Sequence, residues 1–210
     1  GSNALEANTT GANNTAIGQA ALATNTTGNA NTAVGNTALT SHESGDGNTA
    51  MGYRAVDSNT TGIHNTALGA YCMDVNSTGQ LNTAVGYEAM ESNNGSSNQA
   101  FGRRALYVNT TGTENSAFGY LALDSNTTGN YNVAVGNNAL GANTTASNNT
   151  ALGTSALAAN TTGAQNTAVG YLASDALTTG SNNSSLGYEA LSKLTTGGDN
   201  TAMGRASALD

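Results

Sequence analysis

A five-residue motif, Asn-Thr-Ala-apolar-Gly, recurs along the whole chain at an almost constant interval of 17 residues. A short fixed period is typical of solenoids, in which each repeat packs only against its neighbours. Seventeen residues are too few for a pair of helices but suit one coil of a β-solenoid. The asparagines that open the motif, here called the entry asparagines, are Asn14, Asn31, Asn48, Asn65, Asn82, Asn98, Asn115, Asn132, Asn149, Asn166, Asn183 and Asn200.

One interval, between Asn82 and Asn98, is 16 residues long. The missing residue lies between Gly86 and Gly95. Loops tolerate length changes better than packed strands do. This segment is therefore predicted to be a loop.

Aligning the repeats gives a first apolar column that never turns polar. The residue before it is alanine in every repeat except Ser185, and the residue after it is always glycine, from Gly18 to Gly204. An invariant glycine at one structural position predicts a positive φ or a close backbone approach. The first apolar column is Ile17, Val34, Met51, Leu68, Val85, Phe101, Phe118, Val135, Leu152, Val169, Leu186 and Met203.

A second apolar column stands four residues after each glycine, and an Asn-Thr-Thr-Gly corner separates the apolar segments in many repeats. Ser174 and Ala208 interrupt this column. Because Thr, Val and Ile favour strands whereas Asn and Gly favour turns, each repeat is predicted to form two short strands. The other members are Leu22, Leu39, Val56, Met73, Met90, Leu106, Leu123, Leu140, Leu157 and Leu191.

These columns predict an all-β fold in which residues 1–210 form a single β-solenoid domain of twelve 17-residue coils. At about 4.8 Å per coil, the rod is about 55–60 Å long. Stacked Asn or Thr side chains supply hydrogen bonds in such a rod, which explains how a chain with 37% hydrophobic and 9% charged residues folds. Gly1-Ser2 is interpreted as an expression scar, and the chain as a fragment of a longer protein.

Neighbouring strand residues point to opposite faces. If Ile17 faces the coil interior, Ala16 faces outward, and the outward column is small and apolar. A strand that is apolar on both faces is usually covered on both. The favoured expectation is that a second copy covers the alanine column. The competing reading is a monomer in which this column packs against an inner corner.

The strand NTAVG, at Asn31, Asn82 and Asn166, resembles the Asn-Ser-x-Ala-Ile-Gly strand of Yersinia-type trimeric autotransporter adhesin heads. The longer unit NTAVGYEAM, followed by an NTTG corner, is similar to repeats in bacteriophage tail fibres and related bacterial fibre proteins. The resemblance implies a parallel homotrimer of left-handed β-rolls in an extracellular appendage, on a cell surface or virion, that meets a host glycan or protein. The 17-residue repeat is longer than that of the adhesin heads, and no chaperone, stalk or anchor is visible.

Catalytic chemistry has little support in the sequence, and we expect neither an enzyme nor a cofactor. The two histidines, His42 and His64, have no acid, cysteine or second histidine at ligand or triad spacing, so both are predicted to be exposed loop residues. The lone Cys72 replaces a recurrent alanine and is expected to be a small buried residue. A net charge of −8 with five basic residues disfavours nucleic-acid binding, and no apolar run is long enough for membrane insertion.

Two further columns are candidates for function. The acidic column, five residues after the glycine, contains Asp57, Asp74, Glu91, Asp124 and Asp175. Because stacked like charges repel, these side chains are expected to be solvated. The alternative is a shared cation, for which Asp57, Asp74 and Glu91 are the candidates. The tyrosine column, directly after the glycine, is either packing or a contact surface for a sugar or protein. It contains Tyr53, Tyr87, Tyr120, Tyr171 and Tyr188.

The sequence thus favours a structural or adhesive segment of a trimeric surface fibre that attaches to a host. The alternative is an ice-binding solenoid, since regular threonine columns such as Thr15, Thr32 and Thr49 can form an ordered flat face. Against it, Gln99 and Val133 interrupt the strand threonines, and corners are poor candidates for a flat face.

Overall fold

The computed structural model describes residues 1–208, which contain no helix and form twelve three-residue strands in one parallel sheet. The strands pair in sequence order, so eleven turns of the chain separate β1 from β12. This confirms an all-β solenoid. The strands are β1 (Thr15–Ile17), β2 (Thr32–Val34), β3 (Thr49–Met51), β4 (Thr66–Leu68), β5 (Thr83–Val85), β6 (Gln99–Phe101), β7 (Ser116–Phe118), β8 (Val133–Val135), β9 (Thr150–Leu152), β10 (Thr167–Val169), β11 (Ser184–Leu186) and β12 (Thr201–Met203).

The sheet keeps a constant register, with each residue paired to its equivalent in the next coil. The 16-residue interval does not disturb this, because Thr83 still pairs with Gln99 and Val85 with Phe101. The deletion is absorbed at a corner, where Asn93 and Gly95 are two residues apart instead of the three that separate Asn76 from Gly79. The predicted loop is confirmed as the place that tolerates the change.

The inward face of the strands was assigned wrongly from the sequence. The alanine column is buried, with Ala33, Ala84 and Ala134 fully inaccessible, whereas Ile17 and Met203 at the two ends are 60% and 70% exposed. Alanine faces inward because the second apolar column occupies the coil interior: Leu22, Leu39 and their equivalents are fully buried. The bulky first apolar column is left on the outside.

The second apolar column lies in turns and not in a second strand, so the expectation of two strands per repeat is wrong for the described residues. Leu22 and Ala20 both have a positive φ, of 51° and 54°. The alternation recurs in later coils, as at Leu140 and Asn138. A backbone that returns repeatedly to the left-handed region curls instead of extending. The leucine is thereby turned into the coil.

The glycine column has both properties expected of it. Gly119 has a φ of +140°, and a Cβ there would lie 2.5 Å from the carbonyl oxygen of Gly136 in the next coil. The coils therefore approach each other by backbone at this bend, where only glycine fits.

The entry asparagines form a continuous buried ladder, which confirms that side-chain ladders stabilise the coils. In every coil step, the Oδ1 of one entry asparagine accepts the backbone N–H of the next, at 2.8–3.1 Å. The Nδ2 of Asn31 also donates to the Gly45 carbonyl, at 2.9 Å. From Asn14 to Asn183, each amide donates in this way to the corner residue that lies three positions before the next entry asparagine, which satisfies polar groups that burial would otherwise penalise.

Candidate functional site

The outer face of the sheet is the largest candidate site. It carries the first apolar column beside the strand threonines, because strand residues alternate between the two faces. Leu68, Leu152 and Leu186 are each close to half exposed. With strands about 4.8 Å apart, the apolar column is a stripe about 53 Å long. A stripe of this extent is comparable to the largest apolar patch of a typical monomer, and such patches often mark interaction surfaces.

An aromatic pair marks the middle of this face. Phe101 and Phe118, the only phenylalanines of the chain, lie in the adjacent strands β6 and β7. Their rings stack with centroids 4.9 Å apart and planes 5° from parallel. Both remain more than one third exposed. Neighbouring Val85 and Val135 are smaller, so the pair stands out from an otherwise aliphatic column.

The tyrosine column lies just beyond the C-terminal ends of the strands. Its side chains are 42–48% exposed at Tyr53, Tyr87, Tyr120, Tyr171 and Tyr188. Tyr71, one position further along its coil, links Tyr53 to Tyr87 by edge contacts at 5.2 and 6.0 Å.

Arg103 extends the same strip, because its guanidinium lies between the rings of Tyr87 and Tyr120, at 5.9 and 5.5 Å from their centroids. The tyrosine column is therefore accessible. Cations and neighbouring rings hold its members in a row along the rod.

The acidic column is less solvated than expected. Asp74 is buried, with a residue exposure of 6%, and the expectation of a solvated carboxylate is wrong for it. Arg54 bridges this carboxylate and that of Asp57, at 3.4 and 3.0 Å. Arg104 likewise lies 3.5 Å from Asp124. An intervening arginine thus relieves repulsion that the sequence had suggested water or a cation would relieve.

Burial is the leading cause of raised pKa values in this column. It raises the pKa of the Asp74 carboxyl, and Arg54 opposes the effect. The same pair of influences acts on Asp124, through Arg104. Burial also raises the pKa of Asp175, with backbone hydrogen bonds opposing it. In residues 1–208, no three carboxylate, imidazole or thiol groups gather in an arrangement able to hold a metal ion.

The two histidines differ in environment. His64 is exposed as predicted, but His42 is fully buried, so that prediction is wrong. His42 replaces a corner asparagine and keeps two of its three hydrogen bonds: Nε2 donates to the Gly45 carbonyl at 2.7 Å, and Nδ1 accepts from Asn59 Nδ2 at 3.3 Å. Burial lowers its pKa, and this arrangement requires the neutral ring. Its role is structural.

Cys72 is buried as expected, and its Sγ donates to the Ala84 carbonyl at 3.3 Å. Burial raises the pKa of the thiol to about 12. Since the thiolate is the reactive form, this cysteine is poorly suited to nucleophilic chemistry.

Two isolated departures from the columns proved to be partners, which the sequence reading missed. Ser174 interrupts the second apolar column and Ser185 interrupts the alanine column. Ser174 Oγ donates to Ser185 Oγ at 2.9 Å, and both residues are buried. The available signal was that the two exceptions occur 11 residues apart, in adjacent coils.

The described part of the chain, residues 1–208, has no helix of the length and apolar character that crossing a bilayer requires. Comparison with protein-family models, curated proteins and solved structures gives no match. The fold defines the class as a parallel β-solenoid. The likeness to adhesin heads and tail fibres rests on the repeat motif alone.

Proposed function

We propose that this chain is a structural and adhesive segment of a homotrimeric extracellular fibre, in a phage tail fibre or a bacterial adhesin head. The observation that carries the proposal is the uncovered first apolar column on the outer sheet face. It replaces the alanine column as the surface that neighbouring copies cover. Joining several rods stiffens the shaft and removes this column from water, which supplies a driving force in proportion to the apolar area.

The dimensions of the outer face fit such an interface. Twelve strands of three residues give a strip about 53 Å long and about 10 Å wide, or on the order of 500 Å² per copy. Stable interfaces bury about 800 Å² per partner. Because each copy of a trimer contacts two others, the sheet face alone supplies only part of the area needed. Flanking residues supply the rest.

Assembly is tested by light scattering on the purified chain. Wild type is expected to have three times the mass of one chain. Leu68→Lys/Leu152→Lys places two charges on the apolar column and is expected to give monomers. Thr162→Lys, at an exposed Asn-Thr-Thr-Gly corner outside the sheet, is the matched control and should remain trimeric. A monomeric wild type at micromolar concentration contradicts the proposal.

The adhesive role is assigned to the accessible tyrosine column, because exposed tyrosines suit contacts with sugars and proteins. The probe is an array of immobilised neutral and acidic host glycans. Tyr87→Ala/Tyr120→Ala is expected to reduce retention at least about tenfold, or about 1.4 kcal/mol. Tyr131→Ala, an exposed tyrosine outside the column, is the control. Equal retention of all three proteins contradicts the assignment.

Ice binding is the second candidate, and the position of the strand threonines favours it. Thr15, Thr66 and Thr201 are exposed on the outer face beside the apolar column, which gives the flat Thr-bearing surface that corners alone do not. This candidate requires an uncovered face. A monomer that shows thermal hysteresis in a freezing assay supports it, and a trimer without hysteresis rejects it.

A further inference from the structure

A uniform repeat leaves open how far one copy is shifted along another. If every coil presents the same residues, sliding a copy by one coil, about 4.8 Å, replaces each contact with an equivalent one. Register is weakly specified wherever a surface repeats itself in this way. A fibre of defined length therefore needs at least one layer that differs from the others.

The aromatic layer formed by Phe101 and Phe118 is such a difference. It lies in the sixth and seventh of twelve strands, and hence at the centre of the face. Aromatic anchors that dominate interfaces cluster at such central positions. In strand order the column reads Val85, Phe101, Phe118, Val135. A shift of one coil therefore sets one phenylalanine against a valine.

The threonine side of the same face changes at the same level, which is an independent observation. Gln99 and Ser116 replace threonine in the two coils that carry the phenylalanines, and Ser116 Oγ donates to Gln99 Oε1 at 3.1 Å. Val133 replaces threonine in the following coil. Three of the four departures from threonine thus lie at or next to the phenylalanine coils, in the middle of the rod; the fourth, Ser184, lies in β11.

We propose that the Phe101–Phe118 layer fixes the axial register of the parallel copies in the assembled fibre. In register, the stacked phenylalanines of all copies meet in one aromatic layer at the fibre axis. The aliphatic residues above and below contribute area, but they differ less from coil to coil and so distinguish neighbouring registers less. This inference rests on the proposed trimer. It concerns which register is chosen and not whether the copies associate.

The register can be measured by disulfide formation in a Cys72→Ala background. Val169→Cys, on the first apolar column, reports the in-register state when it cross-links to itself. Coexpression of Val169→Cys with Leu186→Cys, on chains with tags of different mass, reports a slip of one coil. Because a disulfide favours Cα atoms about 5.5–6 Å apart, cysteines in the same layer cross-link in preference to cysteines that are offset by one coil, and the ratio of the two products reports the register.

With both phenylalanines present, the self-linked product is expected to exceed the slipped product at least about tenfold. Phe101→Leu/Phe118→Leu keeps the face apolar but removes its distinct layer, so the two products should become comparable. Leu68→Val/Leu152→Val is the matched control, and it should keep the in-register product dominant. Light scattering is run on each variant.

The outcomes separate the two proposals. A trimeric Phe101→Leu/Phe118→Leu variant that still cross-links only in register overturns the role of the phenylalanines and leaves the trimer intact. A monomeric wild type overturns the trimer itself. Cross-linking of Val169→Cys to Met51→Cys, and not to itself, indicates antiparallel copies and overturns both.

Discussion

At the scale of single residues, the corners depend on a second amide ladder, which is interrupted where another residue replaces the corner asparagine. In most coils the Nδ2 of a corner asparagine donates to the Oδ1 of the corner asparagine in the preceding coil, as Asn126 does to Asn109 at 2.8 Å. His42, Leu177 and Leu194 replace asparagine and supply no equivalent donor. In the described chain, the buried Oδ1 atoms of the preceding Asn25 and Asn160 consequently have no hydrogen-bond partner.

Replacing His42 with asparagine should restore the corner ladder at this position. His42→Asn is expected to stabilise the protein by about 1 kcal/mol at pH 7, because Asn25 Oδ1 regains a donor. Burial lowers the pKa of His42 below 6.5 in the folded state, so the unfolded chain binds the proton more readily. The stability that depends on the neutral ring is present above pH 6.5 and is lost as pH falls below it.

The variant should therefore lose less stability than wild type between pH 7 and pH 5, as measured by urea unfolding. The raised pKa of Asp74 acts in the opposite direction in both proteins, and the difference between them isolates His42. His64→Asn, at the exposed histidine, is the control and should follow the wild-type pH dependence. Parallel curves for wild type and His42→Asn would contradict the expectation.

The buried serine pair provides a second test at this scale. Ser185→Ala alone leaves Ser174 Oγ without its partner in the core and is expected to cost about 1–3 kcal/mol. Adding Ser174→Leu restores the usual residue in both columns and should recover that loss. Thermal unfolding of the two single variants and the double variant gives the coupling. Additive effects would show that the two positions are independent.

At the scale of elements, the sequence predicted the strands and their stacking but not the direction in which they face. Alternation gives two faces without saying which is inside, and the bulky residues of the first apolar column suggested a core. The interior is filled instead from turns, by Leu22 and its equivalents. This arrangement depends on left-handed φ values at leucine, which local sequence preferences disfavour. Coil closure imposes them, and that is a property of the whole turn.

Two substitutions in the glycine column separate the effect of backbone strain from that of the close approach between coils. Gly119→Ala and Gly204→Ala both place alanine at a positive φ, but only the first sets a Cβ against the next coil; at Gly204 nothing lies within 4 Å. Gly119→Ala is expected to abolish cooperative folding, and Gly204→Ala to lower the Tm by only a few degrees. Circular dichroism melting curves measure both. Equal losses would mean that φ alone explains the glycine column.

At the scale of the whole molecule, stability is expected to be a sum of coil and coil–coil contributions, because each coil contacts only its neighbours. Deleting residues 132–148 removes one complete 17-residue coil and joins Tyr131 to Asn149, the next entry asparagine. This variant should keep a cooperative transition with a slightly lower Tm. Deleting residues 132–139 breaks the phase of every column and should unfold the chain. Circular dichroism and the unfolding midpoint report both results.

The candidate site was only partly predictable at this scale. The tyrosine column and the acidic column were found from spacing, since their members share a coil position. The arginines that pair with the acids were not, because the position two residues after the glycine, which Arg54 and Arg104 share, holds residues of many kinds in the other coils. Which apolar column would be exposed depends on coil closure. The sequence therefore predicted that a second copy covers the sheet, but it assigned the covered surface to the alanine column and not to the first apolar column.

The shortened corner at Asn93–Gly95 has a practical meaning. Strand pairing in this solenoid does not depend on the length of this corner. Corner residues can therefore be changed without disturbing the contacts that stabilise the sheet. Peptide loops grafted into chosen corners would emerge at heights set by the coil number, in steps of about 4.8 Å. Binding groups could thus be placed along the rod at chosen axial distances from one another. In a trimer, each group would be present in three copies at the same height.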